Sequence, residues 1–468
     1  MAFQVSTDRL LNLFYENFWP GLPATLPLHY LCQRKMNDKH GLEDLLLVMQ
    51  WIGSVYAAWT PSEPHYETAL RALSRPILPR SPFTVQALMF FSVAQYHWDL
   101  RLESRLTLDA AIDMALELQM NTRAFASTYG EWNPVLEESW RRTWYVLKLI
   151  DQHLAVVVNN PTFALRDIPE SVDLPCEDVH YESGQIPPPS TWQEYDTREF
   201  ADVEVIYSSL TYAADICRVV TYIMTSFLKM GYFDDDFINT VDTKVAVWRS
   251  LLPHCKREPQ QGNGDIDEVM FFAHQLAGIV TITAHRPFSS LTYSIEELST
   301  ESFVSPVPFI QPPKSGRNMH TARALKAIES QTKLLAIPCH GERHHIFAAC
   351  ITASVVTAQI SACKNLLEDH AQSIGRDRVR LSIGYLNRMG SFWPLVKKMT
   401  KEARFIARQS LVAHESTCNA DSAAEIEVPR DELLWPVGSS SQIDIYSGIV
   451  LPVDWEAARM NYASSSSI

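Results

Sequence analysis

A long helical pattern with a carboxylate on its apolar face constrains the fold of this chain most. Asn133–Pro134 is a favourable helix start, and Pro161 breaks the pattern that follows it. The residues that recur in between at spacings of three and four are Trp140, Trp144, Leu147, Asp151, Leu154 and Val158. Because such spacing places side chains on one face of an α-helix, residues 134–160 are predicted to pack that face into a core.

Asp151 is the charged member of this face. Burying a carboxylate is costly unless a cation pairs with it. We therefore predict a structural ion pair between Asp151 and Arg166, in the segment that returns after Pro161, with Arg105 as the alternative partner. Contact with a small molecule and a catalytic role are the other interpretations of Asp151. Two neighbours on the same face, Trp140 and Trp144, are predicted to form a buried aromatic stripe.

Helical periodicity dominates the rest of the chain up to about residue 412 as well, and we find no convincing run of alternating residues typical of strands. Further helices are expected near 8–18, 42–58, 83–98, 106–121, 200–229, 236–252, 265–286, 319–336, 346–368 and 376–412. The sequence thus predicts an all-α fold, a single large multi-helix domain of packed antiparallel helices with an irregular acidic C-terminal tail. The body is placed at residues 1–415 and the tail at 416–468.

The tail differs from the body in composition. From Asp421 onward eight acidic residues stand against two arginines, and the chain ends in ASSSSI. Acidic residues flank Leu433, Leu434 and Trp435, a pattern typical of acidic-hydrophobic activation segments. The alternative is a coiled or strand-like tail that packs its tryptophan and isoleucine side chains on the body.

The charge of the chain argues against direct binding to nucleic acid. It has 40 lysines and arginines against 54 acidic residues, a formal net charge of -14. An acidic surface repels phosphates, and the basic residues Lys397, Lys398, Lys401 and Arg404 have the spacing of a solvated helix face. Eight scattered cysteines without a C-x-x-C pair, together with an N-terminus unlike a signal peptide, indicate a reducing compartment.

One uncharged segment is long enough to be weighed as a membrane span. Residues 346–363 carry no charge over 18 positions, close to the minimum for crossing a bilayer. Two threonines, two serines and a glutamine interrupt this segment, which is too polar for a lone helix facing lipid. We therefore expect a buried core helix and no association with a membrane.

Two groups of residues have the side-chain types of metal sites. The cluster Cys339, His340, His344, His345 and Cys350 has zinc-ligating side chains, but its spacing matches no known ligand pattern. The run Asp234–Asp235–Asp236 is like the aspartate motif of helical terpene synthases but lacks its further acid, so it indicates a helix cap. No Gly-rich phosphate loop, G-x-S-x-G or H-E-x-x-H occurs. The sequence predicts no catalytic residue, no metal and no cofactor.

Several segments together resemble the fungal-specific transcription factor domain, the middle homology region of fungal zinc-cluster regulators. The strongest is SWRRTWYVLKLIDQHLAVVVNNPTFALRDIPESVDLP at 139–175, which resembles the Trp/Arg-rich helix, helix-breaking proline and D-x-x-x-P loop of that family. The other segments follow in the family's order. They are LLNLFYENFWPGLP (10–23), TVQALMFFSVAQY (84–96), LTLDAAIDMALELQMN (106–121), AHRPF (284–288) and GSFWPLVKK (390–398).

The resemblance implies a nuclear transcriptional regulator, and we expect a biosynthetic pathway as its target. The cytoplasm is the alternative location. In that family a cluster of six cysteines normally binds two zinc ions and places a short helix in the major groove of DNA, and we find no such cluster in this sequence. We therefore expect a regulatory domain without its own zinc cluster, contacting DNA only indirectly. Expected partners are proteins such as a zinc-cluster transcription factor, in a homo- or heterodimer, and a small-molecule effector. The alternative function is an all-α enzyme, such as a divergent terpene-cyclase-like protein.

The first prediction concerns DNA. Duplex affinity scales with the number of phosphates that a protein neutralises, and this acidic chain offers only the basic residues near 397–404. Purified protein should bind duplex DNA no tighter than on the order of 10⁻⁵ M at physiological salt, whatever the sequence. Fluorescence anisotropy measures this directly, and nanomolar, sequence-selective binding would refute the prediction.

Overall fold

The computed structural model describes residues 2–37, 41–230, 233–302 and 317–412, and these residues form eighteen α-helices. The helices are α1 Ala2–Asn17, α2 Leu28–Asn37, α3 Glu43–Val55, α4 Glu63–Leu73, α5 Pro82–His97, α6 Arg101–Glu117, α7 Arg123–Tyr129, α8 Pro134–Val157, α9 Asp178–Ser183, α10 Trp192–Asp196, α11 Ser209–Met230, α12 Asp235–Ser250, α13 Glu268–His285, α14 Ile295–Leu298, α15 Arg317–Leu335, α16 Ala348–Asn365, α17 Asp369–Met389 and α18 Pro394–Ala407.

The fold is all-α, as the sequence predicts. Among the described residues no strand forms, and a single isolated bridge joins Gln260 and Ile266. Contacts divide the chain into a compact unit, Met1–Ser416, and a second unit, Thr417–Ile468. The second unit lies outside the described residues, so the acidic activation segment stays a prediction.

The longest described helix, α8, is buried almost all round. Asn133 caps its start by accepting a hydrogen bond from the Val135 N–H at 3.0 Å, and Pro134 occupies the first turn. Of its 24 residues, 19 are buried. It ends at Val157, three residues earlier than expected, because Asn159 adopts a left-handed φ of 55° and the Asn160 N–H turns back to the Ala155 carbonyl.

Helix pairs surround α8 and share one continuous core. In the N-terminal half α5 packs against α3 and α6, and α3 also contacts α1 and α4. In the C-terminal half α13 contacts α11, α15 and α16, and α16 contacts α17 and α18. Because α8 contacts α5, α6 and α7 on one side and α11 on the other, it connects the two halves of the body.

The proline-rich segment 168–192 contains the short helix α9, whose Tyr181 is fully buried. One expected element boundary was wrong. The helix expected at 200–229 begins only at Ser209, where Ser208 accepts a hydrogen bond from the Thr211 N–H.

The uncharged segment 346–363 forms most of α16, and its side chains lie in the core. Its polar residues bond within the protein; the Ser361 hydroxyl, for example, donates to the Thr292 carbonyl at 2.7 Å. No helix among the described residues is long and apolar enough to cross a bilayer.

The aromatic stripe of α8 provides a stability prediction. Trp144 is 0% exposed, and its indole N–H donates to Glu170 at 2.7 Å. Trp144→Ala should lower the free energy of unfolding by about 3–5 kcal/mol, because it opens a cavity and removes that hydrogen bond. Urea denaturation measures the change. Trp132, fully exposed, is the matched control, and Trp132→Ala should change stability by less than about 0.5 kcal/mol. Equal effects of the two substitutions would contradict the packing described.

Candidate functional site

Asp151 lies on the buried face of α8, but its partner is Arg105 and not Arg166. The Asp151 carboxylate is 0% exposed and accepts a hydrogen bond from the Arg105 guanidinium at 2.8 Å. Its other oxygen accepts the Leu165 N–H at 2.8 Å. The proposed pair with Arg166 was wrong, because Arg166 turns towards its neighbour Asp167 at 2.9 Å. Burial raises the pKa of Asp151, and the hydrogen bonds from Arg105 and Leu165 oppose that shift.

This arrangement positions the chain after α8. Since one Asp151 oxygen holds Leu165 and the other holds Arg105 on α6, the segment 158–165 is drawn back against the helix that precedes it. That segment includes Asn160 and Pro161, which form part of the rim of a cavity. Asp151 therefore has a structural role next to the cavity without lining it. The stripe residues Trp140 and Trp144, which are 2% and 0% exposed, lie in the core further along the helix.

The cavity lies between α8, α11, α13 and α16 and has a volume of about 220 Å³. An apolar cavity of about 150 Å³ is large enough for benzene, so this one accommodates a molecule on the order of ten non-hydrogen atoms. Its wall is mainly aliphatic and aromatic. Representative lining side chains are Leu149 and Val156 of α8, Ile223 and Phe227 of α11, Leu276 and Ile279 of α13, and Ile351 of α16.

One end of the cavity carries a buried ion pair. Both terminal nitrogens of Arg286 donate to Glu297 at 2.7 Å, a bidentate arrangement, and the guanidinium lies 3.9 Å from the centre of the Tyr293 ring. Burial alone would lower the pKa of Arg286, but Glu297 outweighs it and raises the pKa. The remaining N–H groups donate to Thr357 and to the carbonyls of Leu291 and Thr292.

An arginine has five N–H donors, and each of those on Arg286 has an acceptor within the protein. A ligand carboxylate could bind Arg286 only by displacing one of these acceptors. Displacing Glu297 would leave that carboxylate buried without its partner, which is costly. The ion pair is therefore a polar but electrically neutral end wall.

A second polar feature of the wall is uncharged. His153 of α8 stacks on Phe347 with ring centres 3.7 Å apart, and two more buried histidines, His97 and His345, lie 5.5 and 5.2 Å from the same ring. Burial lowers the pKa of His153 to about 3 and that of His97 to about 4, and it places the pKa of His345 well below its usual range. All three imidazoles are therefore neutral at physiological pH.

The metal-like cluster of the sequence is divided by the fold. Cys339 and His344 lie together, whereas His345 stacks on Phe272 with ring centres 3.8 Å apart and Cys350 lines the cavity. His340 is exposed and 3.6 Å from Glu342. Throughout the described ranges, no group of three or more histidine, cysteine or acidic side chains is arranged to hold a metal ion. The first residue of the aspartate run, Asp234, caps α12 by accepting the Phe237 N–H at 2.8 Å.

Sequence patterns did not indicate the cavity. Its polar end is built around Arg286, which belongs to the AHRPF segment, while its partner Glu297 lies in the short helix α14, eleven residues further on. The helical pattern of α13 marks Leu276 and Val280 as apolar, and it cannot distinguish a side chain in a filled core from one at a cavity. The sequence shows only that an arginine, Arg286, follows the helical pattern, and its burial is visible in the structure alone.

The chain is 28% identical over 450 residues to the C6 finger domain transcription factor iacK of Pestalotiopsis fici. The match covers 94% of this chain and 65% of the relative, so the chain spans about two thirds of that protein's length. No family model and no solved structure matches the chain. The similarity supports the resemblance to fungal zinc-cluster regulators.

The neutral wall generates a ligand prediction. Naphthalene, an uncharged probe of ten carbon atoms, should raise the midpoint of thermal unfolding, whereas 2-naphthoate at the same concentration should raise it less, since its charge must be buried. Ile279→Trp should abolish the effect of naphthalene by filling the cavity, at a stability cost of about 1–3 kcal/mol.

The control for this substitution is Ile374→Trp on α17, where the isoleucine is 41% exposed. It should leave the naphthalene effect unchanged. A larger effect of 2-naphthoate than of naphthalene, or an undiminished response in Ile279→Trp, would contradict the description of the cavity.

Proposed function

We propose that this protein is a transcriptional regulator whose helical body binds a small, neutral, apolar effector in the cavity between α8, α11, α13 and α16. The observation that carries the first half of the proposal is the similarity to a C6 finger domain transcription factor over 94% of the chain. The same similarity favours a regulator over an all-α enzyme of the terpene-cyclase type. The cavity with its neutral wall supports the second half.

The end of α11 is the part of the cavity wall expected to move. Met224 and Phe227 face the cavity, whereas Leu228 is 43% exposed and Met230 is 37% exposed, so the last turn has little core packing around it. Phe227 instead contacts Phe233, at a distance of 5.6 Å between ring centres. Suppose that the end of α11 has two conformations and that an effector binds one of them more tightly. The effector then increases the population of that conformation, and its difference in affinity for the two sets the size of the shift.

The effector should influence transcription through partner proteins. We propose indirect contact with DNA, through a zinc-cluster factor that pairs with this body as a homo- or heterodimer partner, and a location in the nucleus. The pairing of Lys398 with Glu301 at 2.6 Å supports this, because it neutralises one of the positive charges of the basic face. The tail at 416–468 is proposed as an activation segment on the basis of its acidic-hydrophobic pattern.

A reporter assay tests the proposal. The full chain fused to an unrelated DNA-binding domain should change expression from a promoter bearing that domain's sites, relative to the domain alone. Ile279→Trp, which occupies the cavity, should alter the level of expression, whereas Ile374→Trp should leave it as in the parent fusion. Expression equal to that of the DNA-binding domain alone, at matched protein levels, would refute a regulatory role. An effect that Ile279→Trp leaves unchanged would refute the role of the cavity alone.

A further inference from the structure

A cysteine, a histidine and a glutamate lie together at the start of α13. Cys339 lies in the segment between α15 and α16 and is exposed. Its sulfur is 3.2 Å from Nε2 of His344, and Nδ1 of His344 is 2.6 Å from a carboxylate oxygen of Glu268. The sequence singled out Cys339 and His344 as zinc-ligand types, and the fold places them in a different arrangement.

Each member of this group is held by the surrounding structure. Glu268 is the first residue of α13 and is 7% exposed, so its carboxylate lies at the positive end of a helix. His344 is 3% exposed and stacks on Phe271, with ring centres 3.9 Å apart and an interplanar angle of 11°. Because Glu268 accepts the Nδ1–H, the opposite nitrogen of the ring is directed at the Cys339 sulfur.

His344 carries a positive charge in this setting. Burial alone would lower its pKa, but the hydrogen bonds to Cys339 and Glu268 raise the pKa of His344 to about 9. This distinguishes it from the neutral histidines around Phe347, which have no carboxylate partner. An imidazolium beside a thiol favours the thiolate, which is the nucleophilic form of cysteine.

Other charged and titratable groups near the sulfur belong to its own segment and to α17. Arg388 of α17 forms a bidentate pair with Glu342 at 2.8 and 2.9 Å, and His340 is 3.6 Å from Glu342. Tyr385 of α17 lies 5.8 Å from His344 between ring centres, and burial raises its pKa well above the usual value. The phenol is therefore neutral, and Glu342 is already paired with Arg388, so the imidazolium remains the cation directly at the sulfur.

We propose that Cys339 is a reactive thiolate, paired with the His344 imidazolium and positioned by Glu268, that adds to uncharged α,β-unsaturated carbonyl compounds. The sulfur lone pair forms a bond to the β-carbon, and the carbon–carbon π bond breaks towards the carbonyl group. The resulting enolate takes up the proton that His344 held, which leaves a neutral imidazole. The thiol has then added across the double bond, and no oxidant or other reactant is consumed. This modification site is separate from the cavity and goes beyond the regulatory function proposed above.

N-ethylmaleimide, an uncharged reagent with such a double bond, tests the proposal on the full chain. Peptide mass spectrometry follows labelling at Cys339 and at Cys255, a second exposed cysteine that serves as the control in the same molecule. An ordinary thiol is about one quarter thiolate at pH 8 and about 0.3% at pH 6, so its labelling slows roughly 80-fold over that range. Labelling at Cys339 should slow less than about 5-fold and should exceed that at Cys255 at least about 10-fold at pH 6.

Variants identify the source of the reactivity. His344→Gln, which removes the positive charge, should bring the labelling rate of Cys339 at pH 6 down to that of Cys255. Glu268→Gln should lower it in the same direction, and labelling at Cys255 should stay unchanged in both variants. Identical pH profiles for the two cysteines of the wild-type protein would overturn the proposal without any variant. So would an unchanged Cys339 rate in a folded His344→Gln protein.

Discussion

The pairing of Glu138 with Arg142 inside α8 is the interaction on which the rest of the structure depends. Both side chains are 0% exposed, and Arg142 Nε donates to Glu138 at 2.8 Å. Glu138 also accepts the Cys176 N–H at 2.9 Å, while Arg142 donates to Asp178 at 2.6 Å and to the Pro23 carbonyl at 3.3 Å. An unpaired buried charge costs several kcal/mol, so an arrangement that pairs all of these groups is strongly favoured. The observed arrangement of the N-terminal segment, α8 and α9 does so.

The structural role of α8 changes along its length, starting from this ion pair. Its first half is fixed by charges and by the two buried tryptophans, and its second half provides one wall of the cavity through Leu149, His153 and Val156. Asp151 lies in this second half, between Leu149 and His153, and bonds to Arg105 on α6 without lining the cavity. A helix held this firmly at one end offers a rigid wall, against which the less packed end of α11 can adjust to a ligand. The buried charges of α8 therefore have a structural role, and the proposed effector site lies along the second half of the helix.

Periodic apolar residues made much of the fold predictable. The spacing of Trp140, Trp144 and Leu154 indicated the helix and its buried face, because a helix that buries one face has apolar residues at spacings of three and four in its sequence. The choice between Arg105 and Arg166 could not be made in this way. Both are arginines at plausible distances along the chain, and the outcome depends on α6 lying beside α8 and on Leu165 occupying the second carboxylate oxygen. Such tertiary contacts leave no local pattern.

The candidate sites were less predictable than the fold, for the same reason. The cavity is assembled from four helices whose apolar residues look like ordinary core residues, and its end wall needs Arg286 and Glu297 to meet across a turn. Cys339 and His344 are only five residues apart, yet their chemistry depends on Glu268, which precedes His344 by 76 residues. The sequence showed the types of residue at 339 and 344. It could not show that Glu268 bonds to His344 and leaves the histidine beside the Cys339 thiol.

Hydrogen–deuterium exchange of the full chain, with and without naphthalene, tests the central claim that these helices enclose a ligand site. The account predicts slower amide exchange in peptides covering 149–161, 217–230 and 272–283 when naphthalene is present, because the ligand stabilises the walls that it contacts. Peptides from α4, which lies outside the cavity wall, should exchange at the same rate in both samples. Unchanged exchange in the three wall segments, or slowing confined to regions away from them, would contradict it.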